Sequence, residues 1–469
     1  MRHRGGLSIG SVSKSPGGSA VLIERNQPQR MIHCTRALPF LILLVGVSCL
    51  GQDIQRFPPP DFESGYEFPV TTTPAPRAGT LNYLDVAVLF MALSLASYLA
   101  LIKRSRQGIF ALTIFSLLYF GFYREGCVCS IGAIQNVTLA LFDPSYSVPF
   151  TVAVFFFLPL LFALFFGRVF CAGVCPLGAI QDMMLIRPVK IPHWLLPALG
   201  LLAYLYLGVA ILFAATGSAF IICEYDPFVT FFRLAGNRNI VILGISLLVI
   251  SLFVGRPYCL FLCPYGVLLH HFTRLTQWQV TVSPNECLQC QLCEEACPFG
   301  AIDPPTPKGM PAPNKQDRFR LVFLILLVPI FIAVGGWVAS LAADSFSRMH
   351  FTVRLAEQIA WEDASEVDKF TEASQVFRDT GQPKEALFQE ARHVRDRFVL
   401  GAWILGGFLG LVIAGKLIGL SRYRIRSDYE INATDCLACG RCFSYCPQEI
   451  KRRRKSKSAP TVRQEAGNG

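Results

Sequence analysis

From residue 81 onward, apolar runs alternate with short polar stretches. Seven apolar segments stand out, near residues 81–102, 108–124, 149–166, 194–215, 239–255, 320–343 and 398–420. A helix needs roughly 20 apolar residues to cross a bilayer, and several of these segments fall short, so their ends are soft. Their flanks still give one topology. Lys103, Arg104 and Arg106 follow the first segment, Arg168, Arg187 and Lys190 the third, Arg256 and Arg274 the fifth, and Arg422, Arg424 and Arg426 the last. All of these loops fall on one side if the chain enters from outside, the side that carries the Lys and Arg excess in membrane proteins. The pattern predicts a mainly α, polytopic membrane helix bundle of about seven spans, in a bacterial inner membrane.

Residues 1–51 read as an N-terminal extension with a signal-peptide-like segment: Met31 and Arg36 precede an apolar run from Ala37 to Leu50 that is too short to span comfortably. Residues 52–80 read as a Pro-rich periplasmic linker. A five-span core with repeated cysteine pairs follows at 81–274. Residues 344–397, between the last two spans, carry mixed charge and apolar residues at helical spacing (Val353, Ile359, Val367, Phe370, Phe377), broken at Thr380-Gly381-Gln382-Pro383. That pattern predicts a periplasmic helical hairpin, serving either as a solvated spacer or as a partner-docking surface. Residues 451–469 read as a basic disordered tail.

Composition narrows the class. Hydrophobic residues make up 52% and charged residues only 16%, against roughly 25% charged in a soluble domain. That excludes a soluble enzyme or a disordered scaffold. The net charge of +11 sits at the ends of apolar runs, which argues against a nucleic-acid partner.

The 17 cysteines carry the chemistry. Cys287-x2-Cys290-x2-Cys293-x3-Cys297-Pro298 recurs as Cys436-x2-Cys439-x2-Cys442-x3-Cys446-Pro447. This is the run by which bacterial ferredoxins hold [4Fe–4S] clusters. Three thiolates on a tight loop reach three irons of one cube, and the fourth is carried off on a short helix. A β-prone stretch precedes each run (Val280-Thr281-Val282 and Tyr429-Glu430-Ile431), and Ala301-Ile302 or Glu449-Ile450 follows. Paired C-x2-C also suits zinc, but zinc needs only four ligands and no Pro after the last cysteine. The expectation is two [4Fe–4S] clusters in a small α+β ferredoxin-like domain, split between residues 275–319 and 421–450 with spans at 320–343 and 398–420 between them.

A second repeat is Gly167-Arg168-Val169-Phe170-Cys171-x3-Cys175-Pro176, echoed by Gly255-Arg256-Pro257-Tyr258-Cys259-x3-Cys263-Pro264. Residues i and i+4 share a helix face, so four thiols can converge from two helix ends, flanked by Arg168 and Arg256. They form either a further cluster or a redox-active thiol site; buried bystander cysteines are the bland alternative. A weaker echo, Cys129-Ser130-Ile131-Gly132-Ala133-Ile134-Gln135, repeats Cys175-Pro176-Leu177-Gly178-Ala179-Ile180-Gln181. Topology puts Cys127, Cys129 and Cys223 outside, as an electron exit site or as a disulfide plus a bystander. His193, His270, His271 and His350 sit at span ends and no C-x-x-C-H occurs, so no haem is expected. No Gly-rich phosphate loop occurs either, so no nucleotide is expected.

Taken together, G-R-x-[FY]-C-x3-C-P at helix ends with ferredoxin runs resembles the membrane polyferredoxins of the NosR/NapH type, related to the cytochrome oxidase accessory polyferredoxins. The likeness covers roughly residues 81–300 and 428–450. It implies electron transfer between the quinol pool or cytoplasmic donors and a periplasmic reductase or electron carrier, as the electron-transfer subunit of a quinol-dehydrogenase-like oxidoreductase. A redox-sensing, metal-reducing or assembly role is the alternative. The chain departs from the pattern in two ways: a Pro-rich linker stands where a periplasmic flavin domain is found in the family, and its two ferredoxin runs lie far apart. By likeness to two-cluster ferredoxins, whose fourth cysteine ligates the other cluster, Cys287, Cys290, Cys293 and Cys446 are expected to hold one cluster and Cys436, Cys439, Cys442 and Cys297 the other. The ferredoxin runs are expected in the cytoplasm.

Overall fold

The computed structural model describes residues 79–126, 129–189, 191–192, 195–234, 236–282, 287–307, 315–365, 370–422 and 425–458. The expected signal segment, the linker as far as residue 78, Cys127, Lys190, His193, Val367, Arg424 and residues beyond 458 lie outside them.

The chain is mainly helical. Three helices are long and apolar enough to cross a membrane: Gly79–Ile102, Leu195–Ala215 and Lys384–Ser421. Gln316–Leu326 and Val328–Ser340 make a fourth crossing if taken as one span bent by 41°, and Pro329 sits at the bend, where it removes a backbone donor. The other apolar segments are shorter than expected. Phe150–Phe166 has 17 residues and Arg238–Ser251 has 14, which at 1.5 Å per residue is roughly 26 and 21 Å against a hydrocarbon core of about 30 Å. The 108–124 segment is an α-helix, Arg106–Ser116, that continues as a π-helical stretch to Tyr123. Among the described residues, then, three helices, or four with the bent pair, are long enough and apolar enough to cross, and the remaining apolar segments form shorter helices.

Local chemistry explains the short helices. Phe150–Phe166 stops at Gly167, whose φ of 76° lies where only glycine sits without strain. The next helix, Val169–Gly173, is cut by Cys175-Pro176, because a residue before proline is pushed out of the helical region. Cys175 has ψ 119° and Cys263 ψ 111°, so each is extended and caps the helix that its proline opens, Pro176–Met184 or Pro264–Phe272. The Cys-x3-Cys-Pro spacing therefore encodes a break between two half-length helices with a thiol on each side.

The two ferredoxin halves meet in a two-stranded antiparallel ladder, with Ile302 opposite Ile431 and Asp303 opposite Glu430. The strands expected at 280–282 and 449–450 do not form a matching ladder. Arg104 instead donates to the Thr281 carbonyl and pairs with Glu449 at 3.6 Å. Glu449 lies in the Pro447–Ser458 helix, so the basic tail is helical as far as residue 458, with Arg452 and Arg453 paired to Glu449 at 3.0 and 3.5 Å.

In the 344–397 insert, Phe351–Ala364 and Glu372–Asp379 pack on the start of Lys384–Ser421, a helix of 38 residues. The expected second arm of the hairpin is thus continuous with the last span. Val353, Ile359 and Phe377 are buried in this cluster, while Phe370 is exposed under the Arg378 guanidinium.

Small residues set the closest helix crossing. A Cβ on Gly406 or Gly410 would strike the backbone of Gly335 or Phe331, whereas Gly415 faces open space. Gly406→Leu should therefore lower the thermal unfolding midpoint of the detergent-solubilised protein by an overpacking cost of about 1–3 kcal/mol, and Gly415→Leu should leave it unchanged. Equal midpoints would mean that the glycines do not set this crossing.

Candidate functional site

Each ferredoxin run is a tight loop closed by a short helix. Gln289 and Gln291 flank the middle cysteine of the first run with φ of 50° and 65°; Ala438 and Gly440 flank that of the second with 51° and 72°. Left-handed backbone is costly outside glycine, so the same two twists at equivalent positions mark loops shaped around a common object.

The loops do not close on themselves. Cys287, Cys290 and Cys293 line one cavity together with Cys446 of the other run. Cys436, Cys439 and Cys442 line a second with Cys297. The exchange follows from packing: the Leu292–Glu295 and Arg441–Tyr445 helices lie against each other, and each delivers its last cysteine to the neighbouring loop. Among the described residues, no three Cys, His, Asp or Glu converge as a single metal ion requires. A cube presents iron at its corners, so its four thiolates surround a volume instead of a point, and the two cysteine-lined cavities have that form. Burial pushes the Cys436 thiol up to about 12 and that of Cys293 to about 11. Thiolates in such surroundings need a compensating cation, and the donor set therefore fits iron–sulfur clusters.

The Cys-x3-Cys-Pro pairs lie directly beneath. Cys175 and Cys263 are buried, Cys171 and Cys259 half-buried. The Gly266 N–H donates to Cys263 Sγ at 3.3 Å, and Gln181 Nε2 lies 3.6 Å from Cys259 Sγ. The two arginines of the repeat cross over: Arg168 donates to the Gly266 carbonyl at 3.2 Å, while Arg256 donates to the carbonyls of Cys171 and Ala172. Arg256 is fully buried, deeper than a surface anchor would be. Cys171, Cys297 and Cys436 all pack against one buried apolar cluster of Phe299, Ala301, Leu437 and Cys439, so the membrane pair and the second ferredoxin cavity share a wall.

A carboxylate that the apolar pattern hides fastens the two. Asp182 has no exposed side-chain surface and meets Arg106 at 2.7 Å, Arg441 at 3.1 Å and Arg256 at 3.5 Å. Arg106 also donates to the Cys439 carbonyl at 3.1 Å. In the second repeat the equivalent position is His270, which faces Asp435 at 3.6 Å. Gly255 completes the seat, since a Cβ there would lie 2.9 Å from Pro298 and 3.1 Å from Phe299.

Of the cysteines expected outside, Cys129 caps the Ser130–Phe142 helix and Cys223 lies in Ile221–Tyr225. Both line a cavity of about 200 Å³ with Asp226. Among the remaining histidines, His271 meets Tyr204 at 3.2 Å and His350 caps the Phe351–Ala364 helix.

A family model described as "4Fe-4S binding domain" matches residues 148–192 and 239–281, the two Cys-x3-Cys-Pro repeats, and a second of the same description matches 280–303. With the apolar helices, these matches define an iron–sulfur membrane protein. The chain is 30% identical over 247 residues to "Regulatory protein NosR" of Pseudomonas aeruginosa, covering 48% of this chain and 33% of that protein. It is 30% identical over 191 residues to an uncharacterized protein of Methanocaldococcus jannaschii, covering 39% and 77%, and 27% identical over 153 residues to "Putative electron transport protein YccM" of Escherichia coli, covering 29% and 43%. The chain belongs to the NosR/NapH-type membrane 4Fe–4S proteins, and it spans about a third of the length of the NosR relative it matches. No solved structure matches it.

The Asp182 clasp is open to test. Removing it leaves the buried Arg256 without its counter-charge, so Asp182→Ala should cost about 3–5 kcal/mol, read by denaturation in detergent, and should speed proteolysis of the ferredoxin halves. A loss below 1 kcal/mol would mean that the clasp does not hold the halves.

Proposed function

We propose that the chain carries electrons between the quinol pool or a cytoplasmic donor and a periplasmic acceptor, with two [4Fe–4S] clusters held across the split ferredoxin unit. Cys287, Cys290, Cys293 and Cys446 hold one, and Cys436, Cys439, Cys442 and Cys297 the other. Bound there, the clusters supply one-electron chemistry. The chain's own residues insulate, position and bias. Phe299, Ala301 and Leu437 keep water from the second cavity. Cys171, Cys175, Cys259 and Cys263 form the next station toward the membrane. The observation that carries this reading is the wall shared by Cys171 with Cys297, Cys436 and Cys439. Arg256 lies within electrostatic reach of Cys171, Cys259 and Cys439, and its fixed charge favours the more negative state of any group on either side.

The sidedness proposed is that of the Lys and Arg distribution: ferredoxin halves in the cytoplasm, residues 344–397 in the periplasm, and the half-length apolar segments completing about seven passes. Reporter fusions at Lys384 and after Ser458 should then report opposite sides; the same side for both would break this topology. The domain limits above stand on the same reading.

The test of function is the purified protein. Two clusters bring about eight irons, reducible and reoxidisable by dithionite or quinol, and zinc in place of iron would sink the reading. Cys297→Ser should perturb the cluster signal that Cys439→Ser perturbs and spare the one that Cys290→Ser perturbs. The name "Regulatory protein NosR" favours a second reading, in which the clusters sense redox state. Repeated turnover between quinol and a soluble acceptor separates a carrier from a sensor that reduces once and stops.

A further inference from the structure

The helix break at Cys175 has a counterpart at the other end of the bundle. Arg106, beside the ferredoxin unit, opens a helical run that ends at Tyr123, six residues before Cys129. There Cys129 stands at the N-cap of a half-length helix, three residues before Gly132, as Cys175 and Cys263 stand before Gly178 and Gly266. Six residues after Cys129, the fully buried Gln135 accepts the N–H groups of Ile222 at 3.0 Å and Cys223 at 3.3 Å. Six residues after Cys175, the fully buried Gln181 accepts the N–H of Tyr258, next to Cys259, at 3.0 Å. The two glutamines therefore fasten the same kind of partner, a short helix carrying a cysteine. Asp226-Pro227 then follows Cys223 after three residues, where Cys263-Pro264 follows Cys259 after four.

Asp226 is 2% exposed and accepts the N–H groups of Phe228 at 2.8 Å and Val229 at 3.3 Å; among the described residues no cation pairs with it. Cys129, Cys223 and Asp226 line one cavity, and Cys129 shares a second cavity with Cys175. Gly132 keeps the space open, since a Cβ there would stand 3.2 Å from Cys223 Sγ. Two thiols and a buried carboxylate thus line one cavity, spread around a volume and not converging on a single ion.

We infer that this end of the bundle holds a further metal–sulfur site, with Cys129 and Cys223 as thiolate ligands and Asp226 as an oxygen ligand. The ligand class is an iron–sulfur cluster of mixed thiolate and carboxylate ligation, an assignment that rests on reading the inner four thiols as iron–sulfur ligands. A carboxylate in place of a thiolate gives a harder ligand set than the inner one.

The test uses the full chain purified without oxygen, with iron and acid-labile sulfide counted and electron paramagnetic resonance recorded before and after dithionite. Cys223→Ser and Asp226→Ala should lose the same spectral component and the same share of iron while the ferredoxin signals persist, and Asp226→Cys should restore the iron with that component shifted. Unchanged iron, sulfide and spectra in the first two variants overturn the site. Persisting ferredoxin signals show that a variant has folded, and their absence from the parent would be a failure of the earlier reading instead. Should the variants lose every signal, the parent decides by thiol alkylation with mass mapping. Cys129 and Cys223 that react only after iron is chelated support the site, whereas free reaction in the iron-loaded protein, or a disulfide between them, overturns it.

Discussion

A carboxylate without water contact cannot remain charged inside an apolar bundle unless cations surround it. Asp182 meets that condition with arginines from three separate stretches of chain: Arg106 at the start of a helical run, Arg256 from the second membrane repeat and Arg441 from the second ferredoxin half. Each contact removes one freedom. Arg256 fixes one repeat against the other, Arg441 fixes the ferredoxin half on both, and Arg106 reaches the Cys439 carbonyl as well. The cysteines of the second cavity are thereby held against the Cys-x3-Cys-Pro pair by charges that cannot separate without leaving one of them bare. The same network lets residues distant in sequence act as one unit, because the ladder between Ile302 and Ile431 is far too short to hold the halves alone.

The cysteine chemistry was legible because it is local. A run of Cys-x2-Cys-x2-Cys fixes three thiols on one loop whatever surrounds it, and Cys297 and Cys446 travel with short helices whose direction the spacing also fixes. The exchange of these two cysteines between cavities was accessible for that reason, even with two crossings between the runs. The length of the helices was not, because hydropathy measures the length of an apolar run and is blind to Gly167 and to the X-Pro steps at Cys175 and Cys263, which end helices inside such a run. The paired strands were half legible. Tyr429-Glu430-Ile431 finds its partner, but at Val280-Thr281-Val282 the side chain of Arg104 takes the place of a ladder, and no local propensity records such a substitution. Asp182, Gln135 and Gln181 were harder still. In an apolar stretch a single polar residue reads as an interruption, and only tertiary structure shows that each has its partners inside. The signal lay in the echo between residues 129–135 and 175–181, which carries both glutamines at the same step from a cysteine.

That echo bears on how the thiols come to be in line. Each half-length helix begins at an extended cysteine, and at Cys263 the Gly266 N–H of the first turn donates to the thiol. Repetition of the unit then brings the cysteines at two such termini, Cys129 and Cys175, to one cavity. Cys171 shares a wall with the ferredoxin cysteines, Cys175 shares a cavity with Cys129, and Cys129 shares another with Cys223. A soluble ferredoxin needs only its two loops. Here the helix breaks that shorten the apolar segments are also what place further cysteines next to the ferredoxin cavities and one another, so the feature that spoils the hydropathy pattern and the feature that positions these thiols have one physical origin.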